Sequence, residues 1–108
     1  SMGKNAQIIR MDGHGVPEIL DAILKVFPLD TYIEKPVNLM EVMPGDDVQT
    51  PIWDVYKKTV EKYDERGKNA IGEIERFKFY EETKTAYAVI ATSEKALYAN
   101  IMLQKGVV

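Results

Sequence analysis

A phenol and a carboxamide lie two residues apart near the end of the chain, at Tyr98 and Asn100. They form a turn directly before an apolar run, which we predict as a strand over residues 100–103. Because a strand fixes the turn before it, both side chains can present hydrogen-bonding groups in fixed positions. The spacing therefore predicts a site for a small polar ligand.

Both side chains also have a purely structural interpretation. Tyr98 can be a half-buried aromatic residue of the core with its hydroxyl in water. Asn100 can be a turn residue whose amide bonds its own backbone. A phenol pKa near ~10 would make Tyr98 a poor base unless its surroundings change that value. The residues alone leave these interpretations open.

The single histidine, His14, lies in a glycine-flanked turn with Asp12. An imidazole can act as an acid near neutral pH. The flanking glycines nevertheless favour a solvated loop residue for His14. Asp12 fits a turn former better than a catalytic carboxylate.

Length and composition limit the classes of function. At 108 residues the chain is predicted to form one domain, residues 1–108. A net charge of −3, with basic and acidic residues interleaved, argues against nucleic-acid binding. The sequence contains no apolar run long enough for a membrane helix. Its first residues do not resemble a signal peptide, which favours the cytoplasm. With no cysteine and one histidine, any metal site would be rich in carboxylates.

The first half of the chain alternates apolar runs with turn residues. Residues 7–10 form a short apolar run, and a helix is predicted after it with Pro17 at its first position and Pro28 ending it. Residues 37–43 are predicted as a strand and residues 44–47 as a turn. A second helix is predicted from the N-cap Thr50 to about residue 65.

In the second half, Gly67 is predicted as the C-terminal cap of the second helix. A third helix is predicted from Glu73 or Glu75 to about residue 85, with acids in its first turn. Residues 88–91 are continuously apolar, which is typical of a strand buried on both faces. The alternation of helices and strands predicts an α/β fold with a mainly parallel sheet.

Five separated segments, in order along the chain, resemble one family of sugar-anomer isomerases. They are residues 8–13, 24–32, 74–81, 86–92 and 97–107. The family comprises the L-fucose mutarotases and D-ribose pyranases (RbsD/FucU-like), and the chain is most similar to the fucose branch. Arg76 matches the arginine of that branch, whereas ribose pyranases carry histidine at this position.

The resemblance implies a three-layer, RbsD-like α/β fold and an isomerase that interconverts the α- and β-anomers of L-fucose. Acid and base groups would open and reclose the sugar ring. No cofactor is implied, since neither redox change nor group transfer occurs. The resemblance also implies a homo-oligomer, a ring-shaped decamer with active sites between subunits.

The resemblance also assigns residues to the sugar. The substrate-binding residues that it implies are Arg76, Tyr98, Ala99 and Asn100, and Tyr98 is also implied in proton transfer. A guanidinium can donate to two sugar oxygens at once. The structural alternative for Arg76 is a surface ion pair with Glu73 or Glu75, worth about 0–1 kcal/mol.

The chain departs from the family at its front. Family members begin with a helix and a strand bearing a Gly-His-Gly-Asp motif, whose histidine is the proton donor, and an aspartate follows shortly after. The sequence given is expected to lack this N-terminal segment, and the neighbours of His14 place it elsewhere in the family pattern. Three alternatives therefore stay open: a D-ribose pyranase, a non-catalytic fucose-binding or regulatory subunit, and a structural ring subunit without a ligand.

Overall fold

The computed structural model describes residues 7–107, which contain five strands, three α-helices and one short 3-10 helix. The elements in chain order are β1 (Gln7–Met11), α1 (Val16–Val26), β2 (Val37–Met40), α2 (Pro51–Tyr63), the 3-10 helix (Gly67–Ala70), β3 (Ile71–Ile74), α3 (Arg76–Thr83), β4 (Ala88–Thr92) and β5 (Ile101–Leu103).

The strands pair into two small sheets rather than one. β1 pairs in parallel with β4. In the other sheet β2 lies between β3, to which it is parallel, and β5, to which it is antiparallel. Two of these three pairings are parallel, so the predicted α/β class with mainly parallel strands is confirmed.

The core forms where α1 and α2 pack together beside the three-stranded sheet. The buried residues of this cluster are Leu20, Leu24, Leu29, Val37, Leu39, Ile52, Tyr56, Val60, Ala70 and Ala99. On each helix the buried positions recur at the three- and four-residue spacing that keeps side chains on one face. No helix within residues 7–107 has the length and apolarity needed to cross a membrane.

The first two helices begin where the sequence predicts. Pro17 lies in the first turn of α1, and the Glu94 carboxylate accepts the Val16 N–H at 2.9 Å. Thr50 is the N-cap of α2, but its side chain makes no capping bond. Instead, its backbone carbonyl accepts the Trp53 N–H at 3.0 Å.

Two predicted boundaries near the three-stranded sheet are wrong. β2 ends at Met40 rather than at residue 43, because the amide of Met43 leaves the ladder and donates to the Tyr98 hydroxyl. Residues 71–74 form β3 by pairing with β2, so Glu73 does not begin a helix. The alternative start, Glu75, is confirmed: its carboxylate caps α3 by accepting the N–H groups of residues 77 and 78.

Two further predictions are corrected. Residues 88–91 are not buried on both faces, because within the described residues β4 pairs only with β1 and each of its residues is partly exposed. Gly67 does not cap α2, which ends at Tyr63 with Asp64 as its cap. Gly67 instead opens the 3-10 helix in the left-handed region, with φ +56°.

Candidate functional site

The predicted site residues meet at one edge of the three-stranded sheet. β2 and β3 are parallel and finish together, with Met40 opposite Ile74. β5 runs the other way, so its first residue, Ile101, lies beside the end of β2. Arg76 follows the end of β3 and Asn100 precedes β5, which brings both to this edge. Ligands of α/β proteins characteristically bind at the carboxyl ends of parallel strands.

Helix α2 holds the main chain of the turn formed by Tyr98, Ala99 and Asn100. The indole N–H of Trp53 donates to the Tyr98 carbonyl at 2.8 Å. The hydroxyl of Tyr56 donates to the Ala99 carbonyl at 2.6 Å, and Ala99 is 8% exposed. Burial raises the pKa of Tyr56, so its hydroxyl stays protonated and remains a donor. Two side-chain hydrogen bonds from α2 therefore fix the main chain of this turn.

The Tyr98 hydroxyl is engaged on two sides. It donates to the Asp46 carboxylate and accepts the Met43 N–H at 3.2 Å. The hydrogen bond to Asp46 is the main cause that raises the pKa of Tyr98, while the Met43 N–H and the positive charge of Arg76 act in the opposite direction. Tyr98 is therefore a neutral phenol across the physiological range. Its hydroxyl is bonded to protein groups, unlike that of a core aromatic residue whose hydroxyl contacts only water.

Arg76 is exposed at the start of α3, with its guanidinium 5.7 Å from the centre of the Tyr80 ring. The positive charge of Arg76 lowers the pKa of Tyr98, so the two side chains are close enough to interact electrostatically. The structural alternative, an ion pair with Glu73 or Glu75, does not form within residues 7–107. The carboxylate of Glu75 instead accepts backbone N–H groups of α3. Among the described residues, 7–107, the guanidinium of Arg76 has no hydrogen-bond or ion-pair partner.

Asn100 is exposed beside the buried Ala99. No side-chain hydrogen bond joins its amide to its own turn in the described part of the chain. The hydrogen bond from the amide to its own backbone, which a purely structural role of Asn100 requires, is therefore absent among residues 7–107. Its amide offers both a donor and an acceptor at the sheet edge.

His14 and Asp12 lie at the end of β1, in the other sheet. The His14 ring is half-exposed, with Nδ1 2.5 Å from the Glu18 carboxylate. Asp12 pairs with Arg10 at 3.0 Å on the surface. Both residues are solvated turn residues, as the sequence predicts, and the structure does not bring them into the candidate site. Nor do residues 7–107 contain a group of acidic or histidine side chains placed to hold a metal ion.

Sequence reasoning missed three residues of the site: Asp46, Trp53 and Tyr56. Asp46 was assigned only to a turn, although that turn follows a strand of a mainly parallel sheet, where functional side chains collect. The helical spacing of Trp53 and Tyr56 in the sequence indicates only an apolar face of α2. Their polar atoms were the available signal, because a buried Tyr or Trp needs a hydrogen-bond partner.

Comparison with known proteins decides the family. The model of the RbsD / FucU transport protein family matches residues 2–108. The chain belongs to this family. A human relative named fucose mutarotase is 48% identical over 102 residues, which are 92% of this chain and 65% of the relative. The chain thus spans slightly less than two thirds of that protein's length.

Two solved structures of the family share the fold. FucU from Bifidobacterium longum is 65% identical with a TM-score of 0.95, covering 98% of this chain and 74% of that one. A fucose mutarotase from Streptococcus pneumoniae, solved in complex with L-fucose, is 44% identical with a TM-score of 0.88 and covers 94% of this chain and 71% of that one. These matches confirm the RbsD-like fold that the sequence predicts.

Proposed function

We propose that the protein interconverts the α- and β-anomers of L-fucose. The observation that carries this proposal is the convergence of Arg76, Tyr98 and Asn100 at one sheet edge, where the side chains of Arg76 and Asn100 make no hydrogen bond within residues 7–107. The name of the human relative and the fucose complex of the pneumococcal relative support the choice of sugar.

Anomer exchange requires the pyranose ring to open and to close again. An acid protonates the ring oxygen while a base takes the proton of the anomeric hydroxyl, and the roles reverse on closure. No electrons and no group other than the proton are transferred, so the reaction needs no cofactor. A rigid set of donors and acceptors accelerates it by holding the sugar in a reactive orientation.

Each proposed residue has a distinct part in this chemistry. Arg76 donates from its planar fork to two sugar oxygens. Asn100 donates to one hydroxyl and accepts from another. Ala99 contributes its main chain, which the Tyr56 hydroxyl fixes. Tyr98 contacts the reacting end of the sugar and takes part in proton transfer.

Among sugars, L-fucose is proposed over D-ribose because of Arg76. Ribose pyranases carry a histidine at this position, and a guanidinium and an imidazole present different numbers of donors. The D-ribose pyranase activity, an interconversion of pyranose and furanose forms, is the alternative within the same reaction class.

A different class, a non-catalytic sugar-binding subunit, is favoured by one observation. The only histidine of the sequence is held by Glu18 at the other sheet, so the described residues supply no imidazole to the site. The N-terminal segment expected from the family pattern would supply that acid. It stays a prediction, and the experiment below tests it.

The test combines binding and exchange. Thermal unfolding with and without L-fucose measures binding, and NMR magnetisation transfer between the α- and β-anomers measures exchange, for both the 108-residue chain and the complete gene product. Stabilisation by fucose with accelerated exchange supports the mutarotase. Stabilisation with exchange at the buffer rate in both proteins supports the binding subunit. No stabilisation and no exchange would contradict both and leave the structural subunit.

The proposal includes a homodecamer located in the cytoplasm. Large apolar side chains lie on the surface, among them Phe77 at 70% and Tyr87 at 86% exposed. Exposed aromatic groups of this kind are typical of subunit interfaces. Gel filtration with light scattering of the complete protein should give about ten times the monomer mass, and a monomer mass would contradict the ring.

A further inference from the structure

The first and last residues of a single tight turn both form hydrogen bonds with the hydroxyl of Tyr98. Residues 43–46 form this turn, closed by the Asp46 N–H donating to the Met43 carbonyl at 3.0 Å. Pro44 and Gly45 occupy its central positions, and Gly45 has φ +92°. This is the arrangement of a type II turn, in which proline is favoured at the first central position and glycine at the second. We call residues 43–46 the clasp turn.

The clasp turn determines what the phenol can offer to a ligand. Its first residue donates the Met43 N–H to Tyr98 Oη, and its last residue, Asp46, accepts the Tyr98 proton. A hydroxyl has one proton and two lone pairs. The hydroxyl proton of Tyr98 is used in the hydrogen bond to Asp46, and one lone pair accepts the Met43 N–H. The second lone pair remains, and it can only accept a hydrogen bond. Tyr98 therefore presents an acceptor, not a donor, to a sugar hydroxyl.

We propose that Asp46 is a positioning residue for anomer exchange, which acts through Tyr98 by receiving the phenol proton while Tyr98 accepts the proton of the anomeric hydroxyl. This inference rests on the proposed function and names a residue that neither the sequence pattern nor the family comparison supplied. The Asp46 carboxylate is exposed on a surface turn, where it can exchange its proton with water between turnovers.

The proton balance of the step is complete. The anomeric O–H bond breaks and its proton joins Tyr98 Oη, while the proton of Tyr98 passes to Asp46. The electrons of the O–H bond form the aldehyde C=O, and the C1–O5 bond breaks with its electron pair moving to the ring oxygen. That oxygen takes a proton from a water molecule. Rotation about the C1–C2 bond then turns the other face of the aldehyde towards the C5 hydroxyl. On closure the hydroxide removes the proton of that hydroxyl, its oxygen attacks C1, Asp46 returns its proton to Tyr98, and Tyr98 protonates the former aldehyde oxygen, which gives the other anomer.

The decisive variant is Asp46→Asn in the complete gene product. The amide oxygen of asparagine still accepts the Tyr98 hydrogen bond, so the geometry is retained, but it cannot take a proton. We expect the rate of L-fucose anomer exchange to fall by about 10²-fold, a usual size for the loss of a general base, with little change in KM. Asp47→Asn is the matched control, because it removes an equal charge from the neighbouring exposed residue.

Chemical rescue separates proton transfer from a structural role. Adding formate to Asp46→Ala should restore exchange in proportion to its concentration, since a small carboxylate can replace the missing acceptor. Formate should have no effect on Asp47→Ala.

Each result has a definite meaning. Full exchange activity in Asp46→Asn, with an active unaltered protein, overturns the role of Asp46 and leaves the proposed function standing. The role of Asp46 is also overturned if the loss of exchange rate in the double variant, Asp46→Asn with Tyr98→Phe, equals the sum of the two single losses in free energy. Residues that act as one unit give non-additive losses. Buffer-level exchange in the unaltered protein overturns the proposed function and the role of Asp46 together.

Discussion

At the scale of single residues, the conformation of Tyr98 links the fold to the site. Its φ of +54° lies in the left-handed region, which non-glycine residues seldom adopt. Such a conformation persists only where surrounding contacts enforce it. Here the Trp53 indole holds the carbonyl of Tyr98, and the clasp turn holds its hydroxyl. A backbone that is costly to form thus orients the phenol towards the sheet edge.

The side chain of Arg76 should set the choice between sugars. We predict that Arg76→His lowers the preference for L-fucose over D-ribose by about tenfold, because about 1.4 kcal/mol of bidentate hydrogen bonding is lost. NMR exchange rates for both sugars measure the ratio. Arg10→His, on the surface of β1, is the control and should leave the ratio unchanged. An unchanged ratio in Arg76→His would remove the main reason for choosing fucose.

The titration of Tyr98 should report its carboxylate neighbour. Because the hydrogen bond to Asp46 is the main cause that raises the pKa of Tyr98, Asp46→Ala, which removes that bond, should lower the pKa towards the ordinary value for tyrosine. Asp47→Ala should not change it. NMR titration of the labelled Tyr98 ring measures the difference. A Tyr98 pKa equal in all three proteins would show that the two side chains are not coupled in solution.

Only part of this site was predictable from residues. Tyr98 and Asn100 are close in sequence and precede an apolar run, so their turn was visible. The contact between Tyr98 and Asp46 spans 52 positions, and it depends on β5 running beside β2. No local pattern contains that information, which is why the sequence predicts only a turn at Asp46.

At the scale of elements, α2 serves as the support of the binding turn. Tyr56 is fully buried, and its hydroxyl is the partner of the Ala99 carbonyl. We predict that Tyr56→Phe lowers the free energy of unfolding by about 1–3 kcal/mol, the cost of an unpaired buried carbonyl. It should also slow anomer exchange, because the turn is no longer fixed. Urea unfolding and NMR exchange measure the two effects.

Tyr63→Phe is the matched control for Tyr56→Phe. Tyr63 lies on the same helix and donates its hydroxyl to Asp21 at 2.9 Å, away from the binding turn. This variant should lose some stability and keep its exchange rate. An equal loss of exchange in both variants would mean that stability alone, and not support of the turn, limits the activity.

The elements differ in how well their sequences predict them. α1 and α2 are long and amphipathic, with prolines at their starts, and both begin where predicted. β3 is four residues long, and its glycine and glutamate, which are depleted in strands, offset the strand preference of its two isoleucines. Its pairing with β2 makes it a strand, and such tertiary pairing cannot be seen in a local window.

At the scale of the whole molecule, Arg66 ties the end of α2 to the segment before β2. Its guanidinium pairs with Asp64 at 2.8 Å and donates to the carbonyls of Asp30 and Ile33 at 3.0 and 3.1 Å. We predict that Arg66→Met lowers the free energy of unfolding by about 2 kcal/mol, as for half-buried hydrogen bonds to a charged group. Arg10→Met, which breaks an exposed pair, should cost about 0–1 kcal/mol.

The loss caused by Arg66→Met should depend on pH. The hydrogen bond from Arg66 is the main cause that lowers the pKa of Asp64, against the opposing effect of burial. The stabilisation is therefore complete above the ordinary aspartate pKa of 3.8 and disappears as the pH falls through the lower folded value. Urea unfolding at neutral and acid pH should show the difference between the two proteins narrowing in acid, where only the bonds from Arg66 to the Asp30 and Ile33 carbonyls remain. A constant difference would contradict this assignment.

We propose that this fold presents Arg76, Tyr98 and Asn100 to L-fucose in order to exchange its anomers. The most direct test is NMR magnetisation transfer between α- and β-L-fucose at equilibrium, with the complete gene product and its Tyr98→Phe variant. We predict exchange well above the buffer rate, reduced by about 10²-fold in Tyr98→Phe. Exchange at the buffer rate, or equal rates in the two proteins, would contradict the claim.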